Sequence, residues 1–281
     1  MPSVIVVPQH LVAMMTLQIS TAIVLDIGHL ESICVPVING VTLLQESKFA
    51  ALAGKAVDER ILENMIEHEA KIKVKSKERP FSLKNLTDRN ILEEIKVKLC
   101  FICPFERNQK ILQEGYAKQA KKPSDVQLPI DGEQTLKVPG PVLERSCEIL
   151  FESQLEELNV PRLVLDIILE CPIDSRLALM GNIVLIGGTS MFPGLKHRLQ
   201  HELIHLVKTD PKYNSRIHST KFKFHELPCK ENYASWLGAS ILGATDAVNE
   251  RGTNREQYDK LKNVLVSDWF HWWPEQTLSS A

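Results

Sequence analysis

The sequence predicts an α/β fold, and three observations support this prediction. The stretch "TAIVLDIGHLESICVPVING" (residues 21–40) has two apolar, β-rich runs and ends in an Asn39-Gly40 hairpin signal. The stretch "GNIVLIGGTSMFPGLKHRL" (residues 181–199) is typical of a buried strand, a glycine turn and the start of a helix. In "ILEEIKVKLCFI" (residues 91–102), apolar residues recur at three- and four-residue steps, which predicts a helix packed on one face. Strands that alternate with helices indicate layered α/β architecture.

Composition excludes several classes of protein. Of the 281 residues, 44% are apolar and 24% charged, and the net charge of −2 predicts no nucleic-acid partner. Six cysteines lie in apolar stretches of a chain without a secretory signal, so we expect reduced thiols in the cytosol: Cys34, Cys100, Cys103, Cys147, Cys171 and Cys229.

The amino-terminal stretch "MPSVIVVPQHLVAMMTL" is apolar but does not predict membrane insertion. It lacks a basic segment, and Pro8, Gln9 and His10 interrupt it before it could span a bilayer. We expect a buried strand followed by the start of a helix.

The remaining elements follow in chain order. We expect a strand over Ile23 to Leu25, a turn at Asp26-Ile27-Gly28, a second strand to Val37 and a helix from Ala50 to Ile72. The basic, proline-interrupted stretch over 73–90 predicts a surface excursion, and Asp88 the start of a helix.

The second half of the chain predicts further strands and helices. A strand pair is expected around "LPIDGEQTLKVP" (residues 128–139), with helices over 142–153 and 161–171. The Lys-rich middle third of the chain is expected to form a smaller, looser subdomain.

One short motif suggests a metal site. His201-Glu202-Leu203-Ile204-His205 matches the zinc-protease pattern H-E-x-x-H. Helical spacing, however, groups the leucines at 195, 199, 203 and 206 on one side and His197, His201 and His205 on the opposite side, with Lys208. We therefore expect the three histidines to face water, with no zinc site and no catalytic residue.

Two other patterns could indicate a functional site but are more typical of structural residues. Cys100 and Cys103 form a CxxC without a matching pair and continue an apolar helix face, which favours core thiols. His29 lies near Asp26 in the predicted turn and is more typical of a structural turn residue than of a general base.

The glycine turn in "NIVLIGGTSMFPG" (residues 182–194) is the more specific signal. A buried strand that enters a helix through two glycines lets the backbone approach a nucleotide closely, and the alternative is a tight structural turn. Because backbone must come close there, we expect Gly188→Val to destabilise the fold or abolish nucleotide binding.

These segments together resemble the actin family from its hinge helix to its carboxyl terminus. "PSVIVVPQHLVAMM" is similar to the segment leading into the hinge, residues 22–41 to the second phosphate-loop hairpin, and residues 91–102 to the helix that touches the adenosine. "IILECPIDSR" is similar to the helix before the adenine loop, residues 182–194 to that loop, and "YASWLGASILGA" and "REQYD" to the closing helices. The combination of "CPIDSR" with "IGGTSMFPG" most resembles the divergent members at the pointed end of the dynactin filament.

The resemblance implies an actin-like fold, shared with sugar kinases and chaperone ATPases, in which this chain lacks the amino-terminal third. It implies five segments. Residues 1–16 are a hinge-helix remnant of subdomain 1, 17–52 the first part of subdomain 3, 53–158 subdomain 4, 159–234 the second part of subdomain 3, and 235–281 the carboxyl-terminal part of subdomain 1.

The resemblance also implies a nucleotide site, carried over residue by residue. Its expected contacts are Gln9, Asp26, Gly28, Lys96, Gly187, Gly188, Thr189, Met191 and Phe192. Four positions depart from the family pattern: His29 and Leu30 replace an acid and a glycine of the phosphate loop, Val97 replaces the ribose-binding acid, and Asn232 an adenine-contacting lysine. A leucine side chain is expected to obstruct the phosphates, so ATP or ADP with Mg²⁺ would be held weakly or not at all.

The expected function is that of a non-catalytic, cytoplasmic and cytoskeletal subunit. The resemblance implies that it caps the pointed end of the dynactin filament, contacts actin-related filament subunits and other pointed-end subunits, and supports dynein-based transport along microtubules. An active ATPase of the actin superfamily and a nuclear, chromatin-associated actin-related protein are the alternatives.

Overall fold

The computed structural model describes residues 3–74, 77–81, 90–119, 121–131, 134–152 and 158–262. Its strands are β1 (Ser3–Val4), β2 (Ala22–Ile27), β3 (Ser32–Ile38), β4 (Val41–Thr42), β5 (Lys48–Ala50), β6 (Lys71–Val74), β7 (Lys77–Pro80), β8 (Val126–Asp131), β9 (Gln134–Val138), β10 (Ile183–Ile186) and β11 (Thr253–Asn254).

The α-helices are α1 (Gln9–Met15), α2 (Gly54–Glu67), α3 (Asn90–Leu99), α4 (Phe105–Glu114), α5 (Gly140–Arg145), α6 (Val160–Glu170), α7 (Arg176–Met180), α8 (Leu195–Thr209), α9 (Pro211–Asn214), α10 (Ala234–Gly243), α11 (Ala247–Arg251) and α12 (Arg255–Leu261). Short 3₁₀ helices cover Tyr116–Lys118, Ser146–Leu150, Thr189–Met191 and Glu231–Tyr233.

A five-stranded mixed sheet forms the centre of the fold. Its order is β10-β2-β3-β4, with β5 also paired to β3, and β10 runs parallel to β2. The predicted hairpin is confirmed, because Asn39 and Gly40 both take positive φ values, 53° and 79°, between β3 and β4. The predicted turn is misplaced: Asp26 pairs with both Ile33 and Ile186, so β2 continues to Ile27 and the turn begins at Gly28.

A second, four-stranded antiparallel sheet has the order β7-β6-β9-β8. Part of the stretch predicted to be a surface excursion is therefore a β-hairpin, and the helix expected to reach Ile72 ends at Glu67. Ile72 is buried and lies opposite Leu136, whereas the lysines on either side of it are exposed. This is the two-residue alternation of a half-buried strand, but the charged lysines make the segment resemble a surface loop in the sequence. The predicted helix start at Asp88 lies outside the described residues.

The helices follow the sequence prediction in part. The helix expected over 161–171 is α6, but the one expected over 142–153 is divided into α5 and a 3₁₀ turn, Ser146–Leu150. Helix α4 was not predicted. It begins after Pro104 and buries Ile111 and the polar Asn108 among charged residues, so its sequence has too few regularly spaced apolar residues to predict a helix.

The apolar core lies on both faces of the five-stranded sheet. Helices α2, α6 and α8 pack on one face of the sheet, and α1 and α10 pack on the other. Helices α1 and α10 approach each other so closely that a Cβ atom at Gly238 would lie 1.8 Å from the Val12 carbonyl oxygen. Helix α1 begins at Gln9 as expected, but β1 is not a buried strand. Val4 is 44% exposed, and among the described strands β1 pairs only with β11, in a two-stranded sheet.

All six cysteines are free thiols, and five are buried, with Cys229 half-buried. Cys100 and Cys103 are core thiols as predicted, although α3 ends before both of them. None of the described helices has the length and apolar character that crossing a membrane requires. The segment boundaries at 16, 52, 158 and 234 stay predictions.

Candidate functional site

The candidate site lies where two parallel strands end. Because β2 and β10 are parallel neighbours, the segments that follow them meet at one edge of the sheet. We call these the first turn (residues 28–31) and the glycine loop (residues 187–192). A hydrogen bond joins them, since the Thr189 hydroxyl donates to the Gly28 carbonyl at 2.7 Å.

Gly187 determines the geometry of the glycine loop. Its φ is +93°, and a Cβ atom there would lie 2.4 Å from both the Asp26 Oδ1 atom and the Ile27 carbonyl oxygen. Gly188 has a φ of −66°, and a Cβ atom there would meet nothing within 4 Å. The expectation that Gly188→Val destabilises the fold through a close backbone approach is therefore wrong, because Gly187 is the constrained position.

A cavity of about 440 Å³ lies beside the two segments. It is lined by six of the predicted contacts, Gly28, Lys96, Gly188, Thr189, Met191 and Phe192, by three of the departures, His29, Val97 and Asn232, and by Glu93 and Pro193. The structure thus brings together residues that lie far apart in the sequence. A cavity of this size is typical of small-ligand sites.

Lys96 provides the ion pairs at the wall of this cavity. Its ammonium nitrogen lies 2.9 Å from Asp58 Oδ2 and 2.5 Å from Glu93 Oε2, and its side chain is 7% exposed. Burial works to lower the pKa of Lys96, but its hydrogen bonds with Glu93 and Asp58 raise it overall. Burial also raises the pKa of Asp58, against the effect of Lys96. The ammonium therefore stays charged and is already neutralised by protein.

Three predicted contacts, Gln9, Asp26 and Gly187, are not among the residues that line the cavity. The Gln9 side-chain amide donates to Asp26 Oδ2 at 2.6 Å. Burial raises the pKa of Asp26, and the hydrogen bond from Gln9 lowers it in part. Since Asp26 also borders Gly187, the helix α1, the strand β2 and the glycine loop meet at this carboxylate.

The residues that replace the phosphate-loop pattern lie at the first turn. His29 is exposed and lines the cavity, and its Nδ1 atom would be 3.3 Å from a Cβ at Gly54. Leu30 is 66% exposed and is not a lining residue, so the expected obstruction by its side chain is not seen in the cavity.

Sequence reasoning missed Asp58, Glu93 and Pro193. Glu93 precedes Lys96 by three residues on α3, which is a spacing that predicts an ion pair. No comparable signal identifies Asp58, because it lies on α2 and reaches Lys96 only through the packing of two helices.

The predicted polar face of α8 is partly covered. His197 is exposed, but the rings of His201 and His205 lie 6.1 and 5.3 Å from the ring of Phe105 on α4. Both are half-buried, so the expectation that all three histidines face water holds fully for His197 and only in part for these two. Within the described part of the chain, no three His, Cys, Asp or Glu side chains are grouped so that they could hold a metal ion.

Comparison with known proteins identifies the family. The family model described as Actin matches residues 1–268. The chain belongs to the actin family. This actin-family chain is 25% identical to putative actin-29 of Dictyostelium discoideum over 254 residues, covering 87% of the chain and 58% of that protein. It is also 25% identical to actin-like protein 9 of Mus musculus over 242 residues, or 85% of the chain and 51% of that protein.

Two actin-related proteins are also similar to this chain. Actin-related protein 10 of Dictyostelium discoideum is 26% identical over 248 residues, which cover 79% of the chain and 52% of that protein. Actin-related protein 4 of Schizosaccharomyces pombe is 35% identical over 103 residues, or 37% of the chain and 22% of that protein. The actin-like fold is thus shown. The chain spans about half the length of the first three relatives.

Proposed function

We propose that this actin-family chain is a non-catalytic structural subunit of the actin-related protein 10/11 type. In this proposal it caps the pointed end of the dynactin filament, contacts actin-related filament subunits and other pointed-end subunits, and supports dynein-based transport in the cytoplasm. The similarity to actin-related protein 10 and the segments "CPIDSR" and "IGGTSMFPG" support this assignment.

The proposal that this subunit is non-catalytic rests on one observation: the two sides of the cavity keep the family pattern to different degrees. The glycine loop keeps Thr189, Met191 and Phe192 on the cavity wall, whereas the first turn presents His29 in place of an acid. Transfer of a phosphoryl group depends on a metal ion and on cations around the phosphates. Here the cavity-lining Lys96 is paired with two carboxylates, so any ATP or ADP would be held chiefly through its adenosine.

One contact favours the alternative of an active ATPase. The hydrogen bond of 2.6 Å between Gln9 and Asp26 is a geometry that could orient a water molecule, provided that a phosphate group were held in front of it. His29 stands where the family pattern has its second acid, and Glu31, the carboxylate of the first turn, does not line the cavity, which weakens this alternative.

A single-turnover assay with radiolabelled ATP separates these two functions. We expect the chain, alone and in its assembled complex, to release phosphate no faster than a buffer blank, because each lost transition-state contact typically costs about 10²-fold or more in rate. Gln9→Ala is the matched control and should behave identically. A burst of phosphate that disappears in Gln9→Ala would show that the protein is a working enzyme.

The partners are tested by affinity purification of the endogenous protein from cell lysate. Recovery of dynactin filament and pointed-end subunits in stoichiometric amounts is the expected result. Recovery of chromatin-remodelling subunits from nuclear extract would instead support a nuclear actin-related protein.

A further inference from the structure

The charges around the candidate nucleotide cavity favour a ligand without phosphate groups. Among the described residues that line the cavity, Lys96 is the one side chain with a permanent positive charge. Its ammonium nitrogen already contacts the carboxylates of Asp58 and Glu93, at 2.9 and 2.5 Å. One ammonium against two carboxylates leaves an excess of one negative charge at this wall. A phosphate group in the cavity would therefore be repelled by the wall rather than attracted to it.

The opposite side of the cavity adds no permanent positive charge. The first turn contributes Gly28 and His29 to the lining, and the carboxylate of Asp26 lies beside the glycine loop. Lys55 donates its backbone N–H to the His29 carbonyl at 2.6 Å, but its ammonium nitrogen lies 4.0 Å from Glu59 and its side chain does not line the cavity. A phosphate group near the first turn is thus close to a carboxylate and has no lysine or arginine on the described wall to contact.

The rest of the lining suits an uncharged heterocycle. Val97, Met191, Phe192 and Pro193 provide apolar surface, and Asn232 presents an exposed amide that can both donate and accept hydrogen bonds. Apolar walls with a small number of polar groups are typical of small-molecule sites, and the volume of about 440 Å³ is in their range. The lining therefore fits the nucleoside part of a nucleotide better than its phosphates.

We propose that this cavity binds an uncharged nucleoside, adenosine, in preference to nucleotides that carry phosphate groups. The inference rests on the proposed function, because the choice of adenosine follows from the actin family and its glycine loop. It goes further in the effect that it assigns to charge. A phosphate group carries about 1.5 to 2 negative charges near neutral pH, so each added phosphate is repelled by the carboxylates around the cavity.

Three ligands test the effect of charge on the full chain. Calorimetry at pH 8 and low salt should show that adenosine binds roughly fivefold more tightly than AMP, and that ADP binds no more tightly than AMP. Adenosine should stay the tightest ligand when Mg²⁺ is added. The difference between adenosine and AMP should shrink as salt rises from about 0.05 M to about 1 M, because salt screens repulsion. Adenosine that does not bind, or AMP or ADP that binds as tightly at low salt, overturns the proposal.

Matched variants on α3 test whether the carboxylate beside Lys96 is responsible. The side chain of Glu93 is 58% exposed, so Glu93→Gln should fold. It should lower the ratio of adenosine affinity to AMP affinity roughly threefold, because it removes one negative charge from the wall. Glu94→Gln is the control, since Glu94 pairs with Lys98 and does not line the cavity, and it should leave the ratio unchanged. The same ratio in the parent protein and in both variants overturns the electrostatic argument.

Two glycine variants test the position of the ligand. A Cβ atom at Gly188, which lines the cavity, or at Gly243, at the end of α10, would meet nothing within 4 Å. Gly188→Leu should weaken adenosine binding roughly tenfold or more, because the new side chain occupies the space of the ligand. Gly243→Leu should leave binding unchanged. Undiminished binding in a folded Gly188→Leu variant overturns the assignment to this cavity.

These outcomes are distinct from those that test the proposed function. A protein that releases no phosphate from ATP but binds ADP more tightly than adenosine keeps the proposed function and loses this inference. A burst of phosphate that depends on Gln9 overturns the non-catalytic function, whatever the order of the three affinities.

Discussion

The first turn and the glycine loop follow neighbouring parallel strands, yet they are held in different ways. In the glycine loop, Gly187 combines a φ of +93° with a Cβ position 2.4 Å from two oxygen atoms of β2. In the first turn, a Cβ atom at Gly28 would meet only the Glu31 carbonyl oxygen, at 3.5 Å, which is ordinary contact distance. His29 and Leu30 in the same turn are exposed.

This difference explains how one side of a ligand site can change while the other side is kept. Substitution of Gly187 disturbs the backbone of β2 and the environment of Asp26, so this position is constrained by folding itself. Substitution in the first turn disturbs little packing, and the residues there are constrained mainly by a ligand. The presence of glycine at position 187 is therefore weak evidence that nucleotide is bound.

The largest expected effect is at Gly187. Gly187→Ala should lower the free energy of unfolding by about 3 kcal/mol or more, because it combines left-handed backbone strain with a clash against β2. Urea titration followed by circular dichroism measures this change. Gly188→Ala is the matched control and should change stability by less than about 0.5 kcal/mol, since its Cβ position is open. Equal losses in the two variants would contradict the assignment of the constraint to Gly187.

The half-buried His10 allows a pH-dependent test of helix α1, whose Gln9 contacts Asp26 beside the glycine loop. Burial lowers the pKa of His10 on α1 to about 4, and its Nε2 atom has no partner. The unfolded chain therefore takes up the proton first, so stability is full above pH 6.5 and falls by up to about 3 kcal/mol as the pH drops towards 4.

The variant that tests this pH dependence is His10→Leu. The difference in unfolding free energy between pH 7.5 and 4.5 should be smaller in His10→Leu than in the parent protein. An unaltered pH dependence in His10→Leu would show that other groups account for it.

The link between the two segments is tested at Thr189. Thr189→Val keeps the shape of the side chain but removes the hydroxyl that donates to the Gly28 carbonyl at 2.7 Å, and this carbonyl then accepts only from the Gly54 backbone N–H at 3.1 Å. The loss should cost about 1 kcal/mol. Thr189→Ser keeps the hydroxyl and should recover most of that loss in the same urea titration. Indistinguishable Val and Ser variants would mean that the two segments are held independently of this bond.

The smallest expected effect is at Gly28. Gly28→Ala should change the free energy of unfolding by no more than about 0.5 kcal/mol in either direction, since its φ is not positive and the new methyl group has space. A loss as large as that of Gly187→Ala would remove the contrast between the two segments.

Sequence reasoning predicted the five-stranded sheet better than the four-stranded one. The apolar runs of β2, β3 and β10 are buried on both sides and stand out from their surroundings. In β6 a single buried residue, Ile72, is flanked by Lys71 and Lys73, so the strand pattern is too short to distinguish from a charged loop. Its strand character depends on pairing with β9, far along the chain.

The sequence by itself determined the α/β class, the hairpin at Asn39-Gly40, the glycine loop and the family, because each is encoded in contiguous residues with a local physical preference. Only the tertiary structure decided that Gly187 rather than Gly188 is constrained and that Lys96 is held by Asp58 and Glu93. These facts depend on distances between segments that lie far apart in the chain, such as Asp26 and Gly187, which are 161 residues apart (187 − 26). Such distances are determined by how helices and sheets pack, and packing is a property of the whole core.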